Sequence, residues 1–139
     1  MNKTLIIAKI NSFLQSTEMF ARPSKQLPGK WQLFEYYIDE VKELKHVNSE
    51  MLTSGKQNWD IEFTENGKYT HSCNLPISLI LEIENGSWST SKNFITLNHP
   101  SNFRKNVEFQ FAFEKDNLKL LKKDTFGKIE FFGFFRKLN

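Results

Sequence analysis

Trp59-Asp60-Ile61-Glu62-Phe63-Thr64-Glu65-Asn66-Gly67-Lys68-Tyr69-Thr70 holds the pattern that decides the fold. Trp59, Ile61 and Phe63 alternate with Asp60, Glu62 and Thr64, the period of two expected of a strand with one buried face. Asn66-Gly67 is the strongest short-range hairpin signal, because both residues accept the positive φ of a type I′ turn. Tyr69–Cys73 then reads as the return strand, with Tyr69, His71 and Cys73 in one phase.

The same grammar extends in both directions. Upstream, Trp31, Leu33, Glu35 and Tyr37 share one strand face after Gly29, and Phe34 and Tyr36 share the other. Residues 39–52 are ambiguous: Val41, Leu44 and Val47 suit a short helical turn or an irregular connection, and Val47–Leu52 a weak strand. Downstream, Leu79–Glu84 reads as a strand, and Asn85-Gly86 as a second type I′ turn leading into Ser87-Trp88-Ser89. Ser91-Lys92-Asn93 turns into Phe94–Leu97. Val107, Phe109, Phe111 and Phe113 alternate with Glu108, Gln110, Ala112 and Glu114, the cleanest half-buried strand in the chain. Asp116-Asn117 turns into Leu118–Lys122. Ile129, Phe131, Gly133 and Phe135 close the chain on one face, with Phe132, Phe134 and Arg136 on the other.

Before Pro23 the period differs. Leu5, Ile6, Ile10, Phe13 and Leu14 fall near one face of a helix, with Asn2 placed to cap it. The expected architecture is therefore all-β: an antiparallel up-and-down barrel of about eight to ten strands over residues 27–139, preceded by an N-terminal α-helix over residues 1–22. Nothing reads as a crossover helix between strands, which selects a closed barrel or a sandwich. The last strand is apolar on both faces, so something must cover its outer side. The N-terminal helix has the matching stripe, and it is expected to pack over the closing strand and the first strand. Without it, the patch would be a dimer interface.

Composition narrows the function classes. The chain has 139 residues, enough to bury roughly 68% of the surface its unfolded form exposes. Fourteen phenylalanines are the biased entry. Nineteen basic against sixteen acidic residues give +3, too little to imply nucleic acid. Residues 101–139 hold nine basic and five acidic groups, interleaved with apolar residues as on a solvated strand face. No apolar run approaches the ~20 residues of a membrane-spanning helix. Cys73 is the single cysteine, which rules out an internal disulfide. The start MNKTLIIAKINSFLQS makes a poor secretory signal, because Lys9 and Asn11 interrupt its apolar core. A cytoplasmic location is expected, with a secreted or periplasmic one left open.

Four stretches resemble one family. Leu27-Pro28-Gly29-Lys30-Trp31-Gln32-Leu33 looks like the Gly-x-Trp opening of the first strand in lipocalins and the wider calycin group. The Trp59–Thr70 hairpin, Asn85-Gly86-Ser87-Trp88-Ser89 with Phe94-Ile95-Thr96-Leu97, and Phe134-Phe135-Arg136 are similar to later elements of small bacterial lipocalin-like domains. The resemblance covers roughly residues 27–139. It implies a β-barrel, no enzymatic activity, and binding of a small molecule, lipid included. It also implies that Gly29 lets the chain bend at the barrel mouth, that Trp31 plugs the closed end, and that Arg136 crosses the Trp31 indole. A guanidinium on an indole face gains about 0.5–2 kcal/mol. The chain departs from secreted lipocalins in having its helix first and no disulfide.

Leu33, Tyr37, Trp59, Ile61, Phe63, Phe109, Phe111, Phe113 and Phe131 are the candidate inward set. They either line an apolar cavity or pack solid. Glu35, in phase with Leu33, either anchors a polar ligand head or pairs with a lysine at the rim. His71-x-Cys73 is half of a metal site at most, and His46 and His99 lack ligand spacing. No nucleophile elbow, phosphate loop or dinucleotide fingerprint exists. Gly127–Phe135 matches an RNA-binding octamer only in composition and lacks its α/β context. The expected function is binding of a small apolar ligand, with no catalytic residue, metal or cofactor, by a monomer or weak homodimer. The alternative is a filled barrel acting as an interaction module or as a homodimer through an aromatic patch.

Overall fold

The computed structural model describes residues 23–40, 43–76 and 85–138. The expected helix over residues 1–22, its packing on the barrel, and the Leu79–Glu84 strand lie outside the described residues. In chain order the elements are α1 (Pro23–Gln26), β1 (Gly29–Glu40), β2 (Glu43–Val47), α2 (Ser49–Ser54), β3 (Trp59–Phe63), β4 (Lys68–Cys73), β5 (Asn85–Ser91), β6 (Phe94–Asn98), a 3-10 turn (Phe103–Lys105), β7 (Val107–Glu114), β8 (Asn117–Lys123) and β9 (Ile129–Leu138).

The sheet is antiparallel throughout and closes on itself. Its order is β2-β1-β3-β4-β5-β6-β7-β8-β9, with β1 also paired to β9. Eight strands form the barrel wall, and β2 is an extra strand. One edge of β1 is filled along most of its length by β9, from Lys30↔Leu138 to Ile38↔Phe131. The other edge is shared. Gly29–Gln32 pair with β3, and Tyr36–Glu40 pair with β2. Closure removes the unpaired edges that such apolar strands would otherwise expose.

The most consequential irregularity is in β1. Leu33 pairs with Phe135 and Glu35 with Phe134, so Phe34 is an extra residue, a β-bulge. A bulge inserts one position and inverts the alternation beyond it. Trp31 and Leu33 face inward, as the period requires. After the bulge the inward residues are Tyr36 and Ile38, which pack with the main core. Tyr37 joins a second, outer cluster with Leu44, Ala112, Leu121, Ile129 and Phe132. The expected phase for Glu35, Tyr36 and Tyr37 is therefore corrected.

The turns also differ in kind from the expectation. At residues 64–67 the Gly67 N–H donates to Thr64 O at 3.2 Å, the Thr64 N–H donates to Lys68 O at 2.9 Å, and only Gly67 has positive φ. This is a longer turn with a glycine bulge, not a type I′ turn. Positive φ at two successive turn residues, the type I′ signature, occurs instead at Lys115 and Asp116, joining β7 to β8. Asn85-Gly86 is not a turn but the start of β5. Gly86 is needed because a Cβ there would lie 2.1 Å from the Asn98 carbonyl oxygen. The ambiguous stretch resolves into β2 followed by α2, whose Asn48 side chain accepts from the Met51 N–H at 3.0 Å. That cap begins a helix where a weak strand was expected.

The two ends of the barrel are unlike. At one end the strands are joined by residues 64–67, Lys92-Asn93 and Lys115-Asp116, all tight. At the other, β1 reaches β3 through β2 and α2, β6 reaches β7 through residues 99–106, and β8 reaches β9 through residues 124–128. We call these ends the floor and the mouth.

Candidate functional site

Trp31 seals the floor. Its indole N–H donates to Leu27 O at 2.8 Å, and its ring lies 5.8 Å from that of Phe113. The cation over the indole is Lys137, whose Nζ is 5.5 Å from the ring centroid. Arg136 instead lies 5.0 Å from the Phe34 ring, on the outer surface. Register explains this correction. Lys137 is the cross-strand partner of Trp31, whereas Arg136 is opposite Gln32 and so projects from the other face. Trp88 reinforces the floor by donating its indole N–H to Thr64 O at 3.0 Å.

The interior above the floor is mostly apolar, and no charged side chain among the described residues is buried there. Leu33, Trp59, Ile61, Phe63, Phe109, Phe111 and Phe131 all belong to it, with Phe113 partly buried at its edge. Trp59 is the hub. Its ring lies 5.1 Å from Phe135, 5.6 Å from Phe131 and 6.2 Å from Phe109. Phe131 also stacks on Tyr36 at 5.8 Å. Gly133 makes room for Phe131, since a Cβ there would lie 2.5 Å from the Phe131 ring. This side of the interior is filled by rings.

Strand β4 brings the polar groups inside. Trp59 donates its indole N–H to His71 Nδ1 at 3.0 Å. An indole can only donate, so that nitrogen is the acceptor and the imidazole proton sits on Nε2. Tyr69 is 1% exposed, yet its hydroxyl has no hydrogen-bond partner among the described residues. Burial pushes its pKa up to about 12. The Cys73 thiol is also pushed up by burial, partly offset by a hydrogen bond from the Leu75 backbone, so it is not an activated nucleophile. Tyr36 is raised by burial and by Cys73, and its hydroxyl donates to Gln57 Oε1 at 2.7 Å. Among the described residues no three His, Cys, Asp or Glu side chains converge on a common point.

The two candidates displaced by the bulge meet outside the wall. Glu35 Oε2 lies 2.6 Å from His46 Nε2, and the His46 ring stacks on Tyr37 at 4.4 Å. Glu35 therefore has neither of the expected roles: it faces away from the interior and its partner is a histidine of β2. Burial and the neighbouring Glu35 charge both raise the Tyr37 pKa. A separate groove of about 400 Å3 runs along the outer wall beside Lys30, Asp60, Glu62, Thr70 and Ser72.

The mouth carries features that sequence reasoning missed. Leu52 of α2 is buried in the main core, so this helix covers part of the opening. The exposed large hydrophobic side chains among the described residues are Met51, Phe103 and Phe126, and each is on a mouth connection. Phe126 sits on a turn held by Asp124, whose Oδ1 accepts from the Phe126 and Lys128 N–H groups at 2.8 and 2.9 Å. Asn102 likewise accepts from the Arg104 N–H at 3.0 Å beside Phe103. The only available signal was placement in polar, turn-forming sequence, where a phenylalanine has no strand to belong to. By sequence Tyr69 reads only as in phase with His71 and Cys73 and is not in the expected inward set.

No helix among the described residues is long and apolar enough to cross a membrane. Residues 27–120 match the family model described as a lipocalin-like domain. No curated protein and no solved structure matches the chain.

Proposed function

The chain belongs to the lipocalin-like domain family, a ligand-binding type of barrel, and we propose that it binds a small, mostly apolar molecule inside the barrel, entering through the mouth. The contrast between the two ends carries this reading. A floor closed by Trp31, Trp88 and tight turns, beneath a mouth of longer connections, makes a cup rather than a tube. Its inner surface is apolar, which suits burial of an apolar guest at about 25 cal/mol per Å2 removed from water. Met51, Phe103 and Phe126 give the entrance apolar side chains. A binding role rather than an enzymatic one fits the unactivated Cys73 thiol and the outward position of the Glu35–His46 pair.

Titration with Nile red, an uncharged dye that brightens in apolar surroundings, tests the reading. The expected result is saturable binding near one dye per chain, retained when Phe103 and Phe126 are both replaced by serine. Organic extraction of the purified protein followed by mass spectrometry should yield a stoichiometric apolar compound. Non-saturable binding, or binding lost with those two exposed rings, would favour a filled barrel that acts through its surface.

A further inference from the structure

Tyr69 is unusual within the main core. Other buried polar handles there are used: Trp31 donates to Leu27 O, Trp59 to His71, and Tyr36 to Gln57. The Tyr69 hydroxyl is equally buried and donates to nothing among the described residues. A buried hydroxyl without a partner is costly, so its retention asks for an occupant that completes it. The position is shaped around the ring. Tyr69 is opposite Gly86 on β5, where a Cβ would lie 3.2 Å from the Tyr69 ring and 2.1 Å from a backbone oxygen.

The surroundings also define what the occupant can be. A neutral phenol offers one strong donor, so the matching ligand group is an acceptor. No charged side chain among the described residues is buried, so a carboxylate drawn to this depth would meet no buried cation. An unpaired buried charge is far more expensive than a neutral acceptor. The burial that holds Tyr69 in its neutral form, with a pKa near 12, opposes any other anion at the same place.

We propose that the Tyr69 hydroxyl is the polar anchor of the barrel interior and selects an apolar ligand bearing an uncharged oxygen acceptor, such as a ketone, ester or alcohol, over a carboxylate. This rests on the interior-binding reading above and names the ligand class for it.

Displacement of Nile red by a matched twelve-carbon series (dodecane, dodecan-2-one and dodecanoate) tests the anchor. The ketone should compete roughly tenfold better than the alkane, the scale of one buried hydrogen bond, and better than the carboxylate at pH 8. Tyr69→Phe should erase the ketone's advantage and leave dodecane unchanged. Dodecanoate as the strongest competitor, or a ketone preference that survives Tyr69→Phe, overturns the anchor alone. Thermal unfolding without ligand gives an independent reading. Tyr69→Phe should leave Tm unchanged or raise it, and a fall of several degrees would mean that the hydroxyl is already bonded, again overturning the anchor alone. Failure of all three compounds to displace the dye overturns the binding reading and the anchor with it.

Discussion

The wall built from β1, β7, β8 and β9 and the wall built from β4 and β5 solve different problems. The first is aromatic on both faces. Phe131 and Phe135 pack inward around Trp59, while Phe132 and Tyr37 are buried in the outer cluster. The β1–β9 ladder runs from Lys30↔Leu138 to Ile38↔Phe131. The second wall is thinner. Among the described residues β4 and β5 pair only from Lys68↔Ser87 to Thr70↔Asn85, and no residue of β5 is fully buried. Ring contacts on the second wall are fewer, with Trp88 against Phe63 and Tyr69 against His71. The ring-filled wall holds the barrel closed, and the thinner wall carries a buried hydroxyl, that of Tyr69, with no partner among the described residues.

The contrast can be broken most forcefully at Trp59, the ring that ties β3 to the aromatic wall. Trp59→Ala should cost about 3–5 kcal/mol, read as a lower midpoint in urea denaturation. An effect under 1 kcal/mol would mean that the rings around it are not a cooperative unit. Gly133→Ala should come next, at about 1–3 kcal/mol. The new methyl would displace the Phe131 ring, which is held in turn by Trp59, Tyr36 and Phe109.

The thinner wall has its own signature in alkali. The Tyr69 pKa stands at about 12 in the folded protein against an ordinary value of 10. The unfolded chain therefore loses this proton first. Its contribution to stability is complete below pH 10 and is lost as the pH rises toward 12. Tyr36 and Tyr37 are shifted in the same direction. Urea midpoints measured from pH 9 to 12 should fall, and Tyr69→Phe should make that fall shallower. The smallest effects belong to the two exposed cations of β9. Lys137→Ala and Arg136→Ala should each cost about 0.5–1 kcal/mol. Only the first should alter Trp31 fluorescence, because only Lys137 lies over that indole.

Much of this was readable before any coordinates. The alternation in Trp59–Phe63 and Val107–Phe113 named inward residues correctly, because both strands are regular and have one wet face. Alternation also put Trp31 on the Leu33 face, while its place at the closed end came from the family resemblance. In β1 the reading failed at one place. A run of Leu, Phe and Tyr does not reveal a bulge, which shows only as a slip in pairing, with Phe134 and Phe135 facing Glu35 and Leu33. Asn85-Gly86 misled because a glycine needed for close backbone approach has the same letter as one needed for a turn. The mouth was illegible because a phenylalanine count is read as core. Phe103 and Phe126 are instead held on short polar turns, at 77% and 93% exposure.

The bulge at Phe34 also lets β1 lose one residue without changing which side chains face the interior. Deleting that one residue would restore unbroken alternation along β1 with Leu33 and Tyr36 still facing inward and Glu35 and Tyr37 still outside, because the bulge already absorbs the extra position. Pairing Phe34 in the ladder instead of bulging it would exchange the aromatic lining for an acidic one, by bringing Glu35 and Tyr37 inward in place of Tyr36.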